Sequence, residues 1–420
     1  MSSLLPSAAG PVVGTVSVPG SKSETNRALV LAALAEGPSR IVGALESRDS
    51  RLMIDALRQL GVEILEEDGI LAVTPPARFT GGGRVDCGLA GTVMRFLPPV
   101  ALLADGPTEF FGDAHASQRP MAPIVDALRQ LGATCTADAL PFLLSPPASP
   151  GAEAAIDASA SSQFISGPLL AGCRLPHGLR LRHTGASLPS LPHIAMTVEM
   201  LRARGVIIAQ PSEREWVVEP GSIAAVDCRV EPDLTNAAVF LAAAVLTGGR
   251  VAVPGWPERS LQPGALFLDI AERFGAGVER TAGEVAVVGR SRPRAVAEVD
   301  LHAASELTPV VAALAAVADG TTTISGVAHI RGHETDRLAA LVAELGRVGV
   351  AAEETADGLR IEGTAPHRLR AAVLETYADH RMVHVAALLG LVVPGIAVTD
   401  LACVSKTMPR FEHDWRGLLG

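Results

Sequence analysis

The chain has 420 residues, of which 48% are hydrophobic and 19% charged, enough for two or three domains with sizeable cores. Its formal net charge of −10 argues against a nucleic-acid surface or a membrane patch as the main partner. Only 3% of the residues are aromatic, so the cores must be built from Ala, Val and Leu.

Two further features bound the class of protein. The five cysteines are widely spaced and form neither a CxxC pair nor a metal-ligand spacing with the eleven histidines, which fits a reducing cytosol. The first ten residues lack the basic flank and apolar core of a signal peptide, so we expect none. The longest apolar stretch is interrupted by His384, Gly390 and Pro394, and we do not expect it to span a membrane.

The first predicted helix begins at a sequence rich in anion-binding groups. Pro19-Gly20 is a turn dipeptide, Ser21-Lys22-Ser23 follows it, and the apolar run 28–34 continues at helical spacing. The free N–H groups of a helix start carry partial positive charge, to which the ammonium and hydroxyl groups add donors. Phosphate or carboxylate binding is one interpretation, and an ordinary Ser-capped helix with solvated charges is the other.

The chain repeats one unit of about seventy residues. The heptapeptide DALRQLG occurs twice, which chance spacing in an ordinary α/β alternation does not explain. A second, strongly apolar helix recurs at a similar interval, and such a helix must be buried on most of its surface. We therefore predict six repeats of strand, helix, strand, helix and strands, with the apolar helices bundled inside the sheets. The amphipathic helices end at Gly61, Gly132, Gly205, Gly275 and Gly349, and the apolar helices are predicted over 21–36, 90–105, 161–171, 233–247, 305–319 and 379–391.

The predicted helix starts are small, polar or charged, where a helix offers unpaired backbone donors. If the repeats are related by rotation, these starts converge on a shared cleft. Polar caps are common, so ordinary capping explains any single start better than a binding role does, and only the cations repeated at corresponding positions favour function. The starts are Ser21-Lys22-Ser23, 90–95, Ser161-Ser162-Gln163, 233–236, Ser305-Glu306 and Asp379-His380-Arg381 for the apolar helices, with Arg48, Arg51, Arg119, Ser190, His193, Arg337 and Lys406 at the second helices.

These motifs, taken together and in this order, resemble the 5-enolpyruvylshikimate-3-phosphate synthase family over essentially the whole chain. Each motif alone is weak, since Gly20–Ser23 looks like the tail of a P-loop but lacks the upstream glycine. The matching segments are 19–23 with Arg27, Ala90-Gly91-Thr92 with Arg95, Gln118-Arg119-Pro120, Ser161-Ser162-Gln163, Glu334-Thr335-Asp336-Arg337-Leu338, Asp379-His380-Arg381-Met382 and Ser405-Lys406-Thr407.

The resemblance implies an α/β fold of two domains, each an inside-out α/β barrel of three βαβαββ-like repeats. Residues 20–230 would form the first domain and residues 1–19 with 231–420 the second, with the active site in the interdomain cleft. The implied reaction moves the enolpyruvyl group of phosphoenolpyruvate to the 5-hydroxyl of shikimate 3-phosphate and releases phosphate. The resemblance further implies no metal, no organic cofactor, no nucleic-acid or membrane partner, a cytoplasmic monomer and inhibition by glyphosate.

Site residues follow from the same resemblance. A phosphate and a carboxylate on one substrate need several cations, and addition to its enol carbon needs a base and an acid. The implied phosphoenolpyruvate pocket takes Lys22, the backbone at Gly91, Arg119, Arg337, Arg381 and Lys406. The implied shikimate 3-phosphate pocket takes Lys22, Ser23, Arg27, Ser161, Ser162, Gln163, Ser190, Glu306 and His333. The implied acid–base groups are Glu306, near the hydroxyl, with Glu334 and Lys22 for proton exchange, and their division of labour stays open.

Three histidines depart from the family's pattern. His193, His329 and His333 stand where many members have Tyr, Asn and Lys. The imidazole of His333 still offers a donor, but its charge would vary near neutral pH.

Two other functions compete with this interpretation. A UDP-N-acetylglucosamine enolpyruvyl transferase has a similar fold, but it typically carries Asn after the lysine and a reactive Cys before the Arg-Pro pair. Here Ser23 follows the lysine and the loop 112–118 has no Cys. A non-catalytic anion-binding module would be expected to lose Glu306, Glu334 or Lys22, and all are present.

Overall fold

The computed structural model describes residues 2–290 and 292–420. The helices are α1 Lys22–Ala33, α2 Arg48–Gln59, α3 Gly91–Ala101, α4 Ala122–Gln130, α5 Gln163–Gly172, α6 Leu191–Arg202, α7 Leu234–Thr247, α8 Phe267–Arg273, α9 Thr308–Val317, α10 Arg337–Val348, α11 His380–Val392 and α12 Phe411–Leu419. The strands are β1 Ser3–Leu4, β2 Val13–Thr15, β3 Ser39–Val42, β4 Glu63–Glu67, β5 Ile70–Thr74, β6 Arg84–Asp86, β7 Thr108–Phe111, β8 Thr134–Cys135, β9 Phe142–Ser145, β10 Glu153–Ile156, β11 Leu179–His183, β12 Ile208–Ser212, β13 Glu215–Val218, β14 Cys228–Arg229, β15 Arg250–Pro254, β16 Gly277–Thr281, β17 Glu284–Val288, β18 Glu298–Asp300, β19 Gly320–Ser325, β20 Ala351–Glu354, β21 Leu359–Gly363, β22 Val373–Leu374 and β23 Ala397–Val398.

The sheets repeat one topology. Among the described residues the strands form six small sheets, and five of them have four strands in equivalent order. In the sheet β14-β3-β5-β4, the first pair is parallel and the next two pairs are antiparallel. The same order recurs in β6-β7-β9-β8, β10-β11-β13-β12, β2-β15-β17-β16 and β18-β19-β21-β20, while the sixth sheet is β1-β23-β22. This repetition confirms the prediction of six strand–helix repeats.

The described residues group into two compact units. One unit takes residues 20–230, and the other takes residues 1–19 with 231–420, of which 1 and 291 lie outside the described ranges. Each unit has its own hydrophobic core. In the first, α1, α3 and α5 pack on one another, and in the second α7, α9 and α11 do so. The apolar helices are therefore bundled inside each unit, as predicted from their composition.

The apolar helices owe their burial to small and branched side chains. Helix α7 has 14 residues, and all of its residues from Asn236 to Leu246 are buried.

A bilayer needs about twenty apolar residues in one helix. Across the described residues, no helix combines the length and the apolarity that crossing a membrane would require.

Several predicted helix boundaries are wrong. The helix predicted over 305–319 begins as the 3-10 turn Ser305–Leu307, and α9 starts only at Thr308. Pro309 explains this start, because a residue without an N–H group fits the first turn of an α-helix but not its interior. Helix α3 ends at Ala101 rather than at residue 105, and its last turn tightens into i→i+3 hydrogen bonds.

Candidate active site

Lys22 contacts a buried carboxylate that the sequence analysis missed. Ser21 caps α1, so that Lys22 is its first residue. The Lys22 Nζ atom lies 3.2 Å from Asp49 Oδ2, and the Asp49 side chain is only 4% exposed. Asp49 is the second residue of α2. A carboxylate in the first turn is stabilised by the helix dipole, so its presence there needs no other explanation. Only the tertiary pairing with Lys22 marks Asp49 as part of a site.

Arg27, one turn after Ser23, is buried, and its hydrogen-bond partners are neutral groups. Its side chain lies under the ring of Phe96, with the guanidinium carbon 5.2 Å from the ring centroid. Burial lowers the pKa of Arg27 to about 9, so the side chain stays charged at neutral pH. Its hydrogen bonds run to Thr197 Oγ1 at 2.7 Å, the Ser23 carbonyl at 2.9 Å, the His193 carbonyl at 3.0 Å and Ser166 Oγ at 3.3 Å.

Two guanidinium groups and an amide converge on Gly91, the first residue of α3. A Cβ atom at Gly91 would lie 2.8 Å from Arg95 Nη1, 3.0 Å from Gln163 Oε1 and 3.1 Å from Arg119 Nη2. Arg95 donates to Gln163 at 2.8 Å, and Arg119 donates to the Leu89 carbonyl at 2.9 Å. Burial lowers the pKa of Arg95, and the charge of Arg119 lowers it further. An anion between the two guanidinium groups would relieve this repulsion.

Three predicted site serines lie at the starts of α5 and α6. Ser162 precedes α5 and is buried, and Ser161 Oγ accepts a hydrogen bond from the Gln163 N–H at 3.3 Å. Ser190 stands before α6 in the left-handed region, with φ 54°, and its side chain makes no helix-capping hydrogen bond. A non-glycine residue in this region is strained, and such strain clusters at functional sites.

Arg337, in the second unit, is the centre of a buried ionic network. The side chain is 2% exposed and begins α10. Its Nε and Nη2 atoms lie 2.7 and 3.2 Å from the two carboxylate oxygens of Asp379, Nη2 is 3.0 Å from Glu334, and Nη1 is 3.4 Å from Glu306. Burial alone would lower the pKa of Arg337, but these three carboxylates raise it above its usual value. The guanidinium is therefore a permanent charge.

Glu334 is ionised by its neighbours. Lys406 Nζ lies 2.6 Å from Oε1, and His380 Nδ1 lies 3.2 Å from Oε2. Burial alone would raise the pKa of Glu334, but the charges of Lys406, His380 and Arg337 together hold it well below its usual value. The sequence left this balance open, and the structure shows that attraction to the cations wins.

Glu306 is the most accessible carboxylate of this network. Its side chain is 26% exposed, against 8% for Glu334 and 0% for Asp379. Glu306 Oε2 lies 2.6 Å from Arg381 Nε, although the two atoms are not aligned for a hydrogen bond. The backbone N–H of Arg381 donates to Asp379 Oδ1 at 2.9 Å, which fixes the start of α11.

Two of the unusual histidines contact residues that adjoin Glu306, namely Arg337 and Ser305. Arg337 Nη1 lies 2.9 Å from His333 Nδ1. Because a guanidinium only donates, Nδ1 must accept, and His333 is then a neutral imidazole with its proton on Nε2. His329 Nε2 lies 2.9 Å from the hydroxyl of Ser305, the residue before Glu306. Both imidazoles are thus tied to groups of the ionic network.

His329 makes folding stability depend on pH. Burial, together with the charges of His302 and Arg337, lowers the pKa of His329 from 6.5 to about 4 despite the nearby Glu306. Between these values the unfolded chain binds a proton that the folded chain does not, so stability falls as the pH falls. Between pH 7 and pH 5, the unfolding free energy of the wild type should fall by roughly 2 kcal/mol more than that of His329→Asn. Urea denaturation at both pH values measures this difference, and parallel curves would contradict the assignment.

Three of these side chains have the geometry of a metal site. One ligand-type atom each from Glu334, Asp379 and His380 lies within 4.8 Å of the others. However, Lys406 lies 2.6 Å from a Glu334 oxygen and Arg337 lies 2.7 Å from an Asp379 oxygen. These two cations already neutralise the carboxylates, so the donor set does not fit a metal ion.

The predicted site residues fall into two clusters, one in each unit. We call Lys22, Ser23, Arg27, Gly91, Arg119, Ser161, Ser162, Gln163 and Ser190, with Asp49 and Arg95, the cation cluster. We call Glu306, His333, Glu334, Arg337, Arg381 and Lys406, with Asp379 and His380, the acid–base cluster. The helix starts Arg48 and Arg51 belong to neither, since they pair with Asp113 and Glu66 in more exposed salt bridges.

One sequence signal was overlooked. Lys22 and Lys406 are the only lysines of the chain, and arginine supplies all of its other permanently charged cations. An ammonium is a compact charge that releases a proton more readily than a guanidinium. One lysine lies in each cluster, so the lysine count alone would have pointed to both positions.

Known proteins resemble this chain over its whole length. The family model of EPSP synthase (3-phosphoshikimate 1-carboxyvinyltransferase) matches residues 6–415. EPSP stands for 5-enolpyruvylshikimate 3-phosphate. A relative from Bifidobacterium longum, named 3-phosphoshikimate 1-carboxyvinyltransferase, is 50% identical and covers 99% of this chain and 97% of its own.

Solved structures agree. EPSP synthase from Acinetobacter baumannii has a TM-score of 0.81 at 25% identity, covering 99% of this chain and 98% of that one. The enolpyruvyl transferase NikO from Streptomyces tendae has a TM-score of 0.77 at 20% identity, covering 99% and 97% of the two chains, and shows the fold alone. The chain therefore belongs to the EPSP synthase family, and it transfers the enolpyruvyl group of phosphoenolpyruvate to shikimate 3-phosphate in the biosynthesis of aromatic amino acids.

Proposed function

We propose that this transfer uses groups of both clusters: their cations bind the anionic parts of the substrates, and Glu306, Glu334 and Lys22 move protons. The buried network around Glu334 is the observation that carries the proposal. Its carboxylate is ionised, paired with an ammonium and backed by a permanent guanidinium charge. Buried charges at such density are expensive for folding, and perturbed pKa values cluster at catalytic sites.

Phosphoenolpyruvate would take its place among the cations. The guanidinium groups of Arg95 and Arg119 lie beside Gly91, and their planar shape matches that of phosphate and carboxylate groups. Each charge-assisted hydrogen bond contributes about 1.5–3 kcal/mol. We assign to this substrate Lys22, the backbone at Gly91, Arg119, Arg337, Arg381 and Lys406.

Shikimate 3-phosphate would bind through hydroxyl donors and Arg27. The guanidinium of Arg27 is buried among neutral partners, which suits a site that receives a phosphate. His333 offers a neutral Nε2–H donor, suited to a hydroxyl rather than a phosphate. We assign to this substrate Lys22, Ser23, Arg27, Ser161, Ser162, Gln163, Ser190, Glu306 and His333.

The proton steps divide among three groups. In the addition, the 5-hydroxyl loses a proton as it attacks the enol carbon, and the methylene carbon gains one. In the elimination, the new methyl group loses a proton as the carbon–oxygen bond to phosphate breaks. Glu306, the accessible carboxylate, is the proposed base for the hydroxyl, and Lys22 is the proposed proton donor. Glu334, being ionised, is the proposed acceptor for the methyl proton.

We also propose that the chain acts as a cytoplasmic monomer. All five cysteines are free thiols, and three of them are buried, as expected for a protein of a reducing compartment. The monomeric state rests on the family resemblance.

Gly91→Ala tests the phosphoenolpyruvate pocket. The added Cβ would displace the ends of Arg95, Arg119 and Gln163, so we expect the KM for phosphoenolpyruvate to rise roughly tenfold or more. The KM for shikimate 3-phosphate should rise much less, because Gln163 is only one of the residues assigned to that substrate. Phosphate release measures both constants, and UDP-N-acetylglucosamine as acceptor should give no release.

The matched control for this variant is Gly221→Ala. A Cβ at Gly221 meets nothing within 4 Å, so both KM values should stay at the wild-type level. Equal increases in both KM values in Gly91→Ala, or none, would refute the assignment of Gly91 to phosphoenolpyruvate.

A further inference from the structure

His384 is a fully buried histidine that the reaction as described does not use. It lies in α11, and its exposed fraction is 0%. Neither ring nitrogen has a hydrogen-bond partner among the described residues. An apolar side chain of similar size would fill this position without burying unpaired polar atoms. A role for the ring itself is therefore needed to explain it.

The ring of His384 contacts two other rings, those of His380 and Phe411. His380 precedes it by one helical turn, and the two rings meet edge to face, with centroids 5.8 Å apart and planes at 85°. The Phe411 ring is tilted against His384 with centroids 5.4 Å apart, and Trp415 stacks on Phe411 at 5.4 Å. We call these four side chains the ring column. A chain with only 3% aromatic residues thus collects rings behind its acid–base cluster.

The ring column ends at the carboxylate of Glu334. His380 Nδ1 lies 3.2 Å from Glu334 Oε2 and 3.6 Å from Asp379 Oδ1. The His380 nitrogens are not aligned for hydrogen bonds with described residues. No aligned hydrogen bond with a described residue holds the plane of the His380 ring, and the ring that it contacts edge to face is that of His384.

We propose that His384 is a positioning residue for the transfer: its ring supports His380, whose polar edge is thereby held against Glu334. The proposal rests on the proposed role of Glu334. Burial lowers the pKa of His384, and the nearby charges of His380, Arg381 and Arg337 lower it further. His384 accordingly acts as a neutral planar ring and exchanges no proton with the substrate.

Two substitutions of His384 separate the ring from its nitrogens. His384→Leu removes the planar ring at similar volume, and we expect kcat to fall roughly tenfold or more with little change in either KM, because small displacements at a reacting centre have large effects. His384→Phe keeps a planar ring, and we expect its kcat to stay within about threefold of the wild type.

Leu389→Ala controls for general loss of stability. Leu389 is fully buried in the same helix but does not lie on the face of His380 and His384. We expect it to lower Tm at least as much as His384→Leu while leaving kcat within about twofold. If His384→Leu does not fold, Phe411→Leu, which removes the ring behind His384, takes its place with a smaller expected loss of about threefold.

A spectroscopic readout makes the test independent of turnover. The nitrogen-15 shifts of His380 should move in His384→Leu and stay in place in His384→Phe. Unchanged His380 signals and kcat in His384→Leu, or equal losses of kcat in the Leu and Phe variants, would overturn the proposal.

Glu334→Gln separates the positioning role of His384 from the proton-acceptor role of Glu334, on which it rests. Near-normal turnover in Glu334→Gln would reject the proposed role of Glu334, and with it the functional role of His384. Loss of activity in Glu334→Gln together with full activity in His384→Leu would reject the positioning role alone.

Discussion

Lys22→Met is expected to lower kcat at least about a hundredfold while the protein remains folded. Methionine keeps the length of the side chain but removes the ammonium, and with it both a proposed phosphoenolpyruvate contact and the proposed proton donor. The position is the first residue of α1 and is partly exposed, so the helix itself does not depend on the charge. Phosphate release with saturating substrates measures the loss.

Two further variants show which property of Lys22 matters. Lys22→Arg keeps the positive charge but not the readily released proton, so we expect it to bind both substrates and still turn over slowly. Lys22→Met with Asp49→Asn also removes the carboxylate that Lys22 pairs with, and it should recover stability without recovering activity. Near-normal turnover in Lys22→Met or Lys22→Arg would remove Lys22 as the proton donor.

Arg337→Leu is expected to lower the free energy of unfolding by about 3–5 kcal/mol and to abolish activity. The substitution leaves Asp379 and Glu334 buried beside each other without their shared guanidinium. A leucine side chain does not titrate, so no pH change restores the missing positive charge in the variant. Urea denaturation at pH 7, with circular dichroism as the signal, measures the stability.

An exposed ion pair provides the matched control for Arg337→Leu. Arg416 pairs with Glu412 at 3.0 Å on α12, and the two side chains are 57% and 55% exposed. Such pairs contribute about 0–1 kcal/mol, so Arg416→Leu should leave stability and turnover nearly unchanged. Comparable stability losses in the two variants would mean that the network around Arg337 does not stabilise the fold.

Much of the architecture was predictable from repetition. The heptapeptide DALRQLG and the recurring apolar helices predict six repeats, and the sheets confirm them. The boundaries were less predictable, because local hydrogen bonding decides where a helix ends. Helix α9 begins at Thr308, just before Pro309, and the hydrophobic period alone does not predict this start.

The candidate site was predictable only in its list of cations and hydroxyls. The order of motifs identified Lys22, Gly91 and Arg337 through family resemblance. It did not identify Asp49 as the partner of Lys22, because a carboxylate near a helix start has an ordinary local explanation. Nor did the order of motifs single out His384, because in the sequence it is only one polar residue within an apolar helix.

The amino-acid order by itself determined the repeats, the apolar bundle helices and the polar helix starts, since these depend on spacings of a few residues along one element. Only the tertiary structure decided the ionisation of Glu334 and the pairing of Arg337 with Asp379. The paired groups are 72 residues apart for Lys406 and Glu334 and 42 apart for Arg337 and Asp379. A pKa depends on burial and on charges a few ångströms away, and only the folded chain brings those charges together.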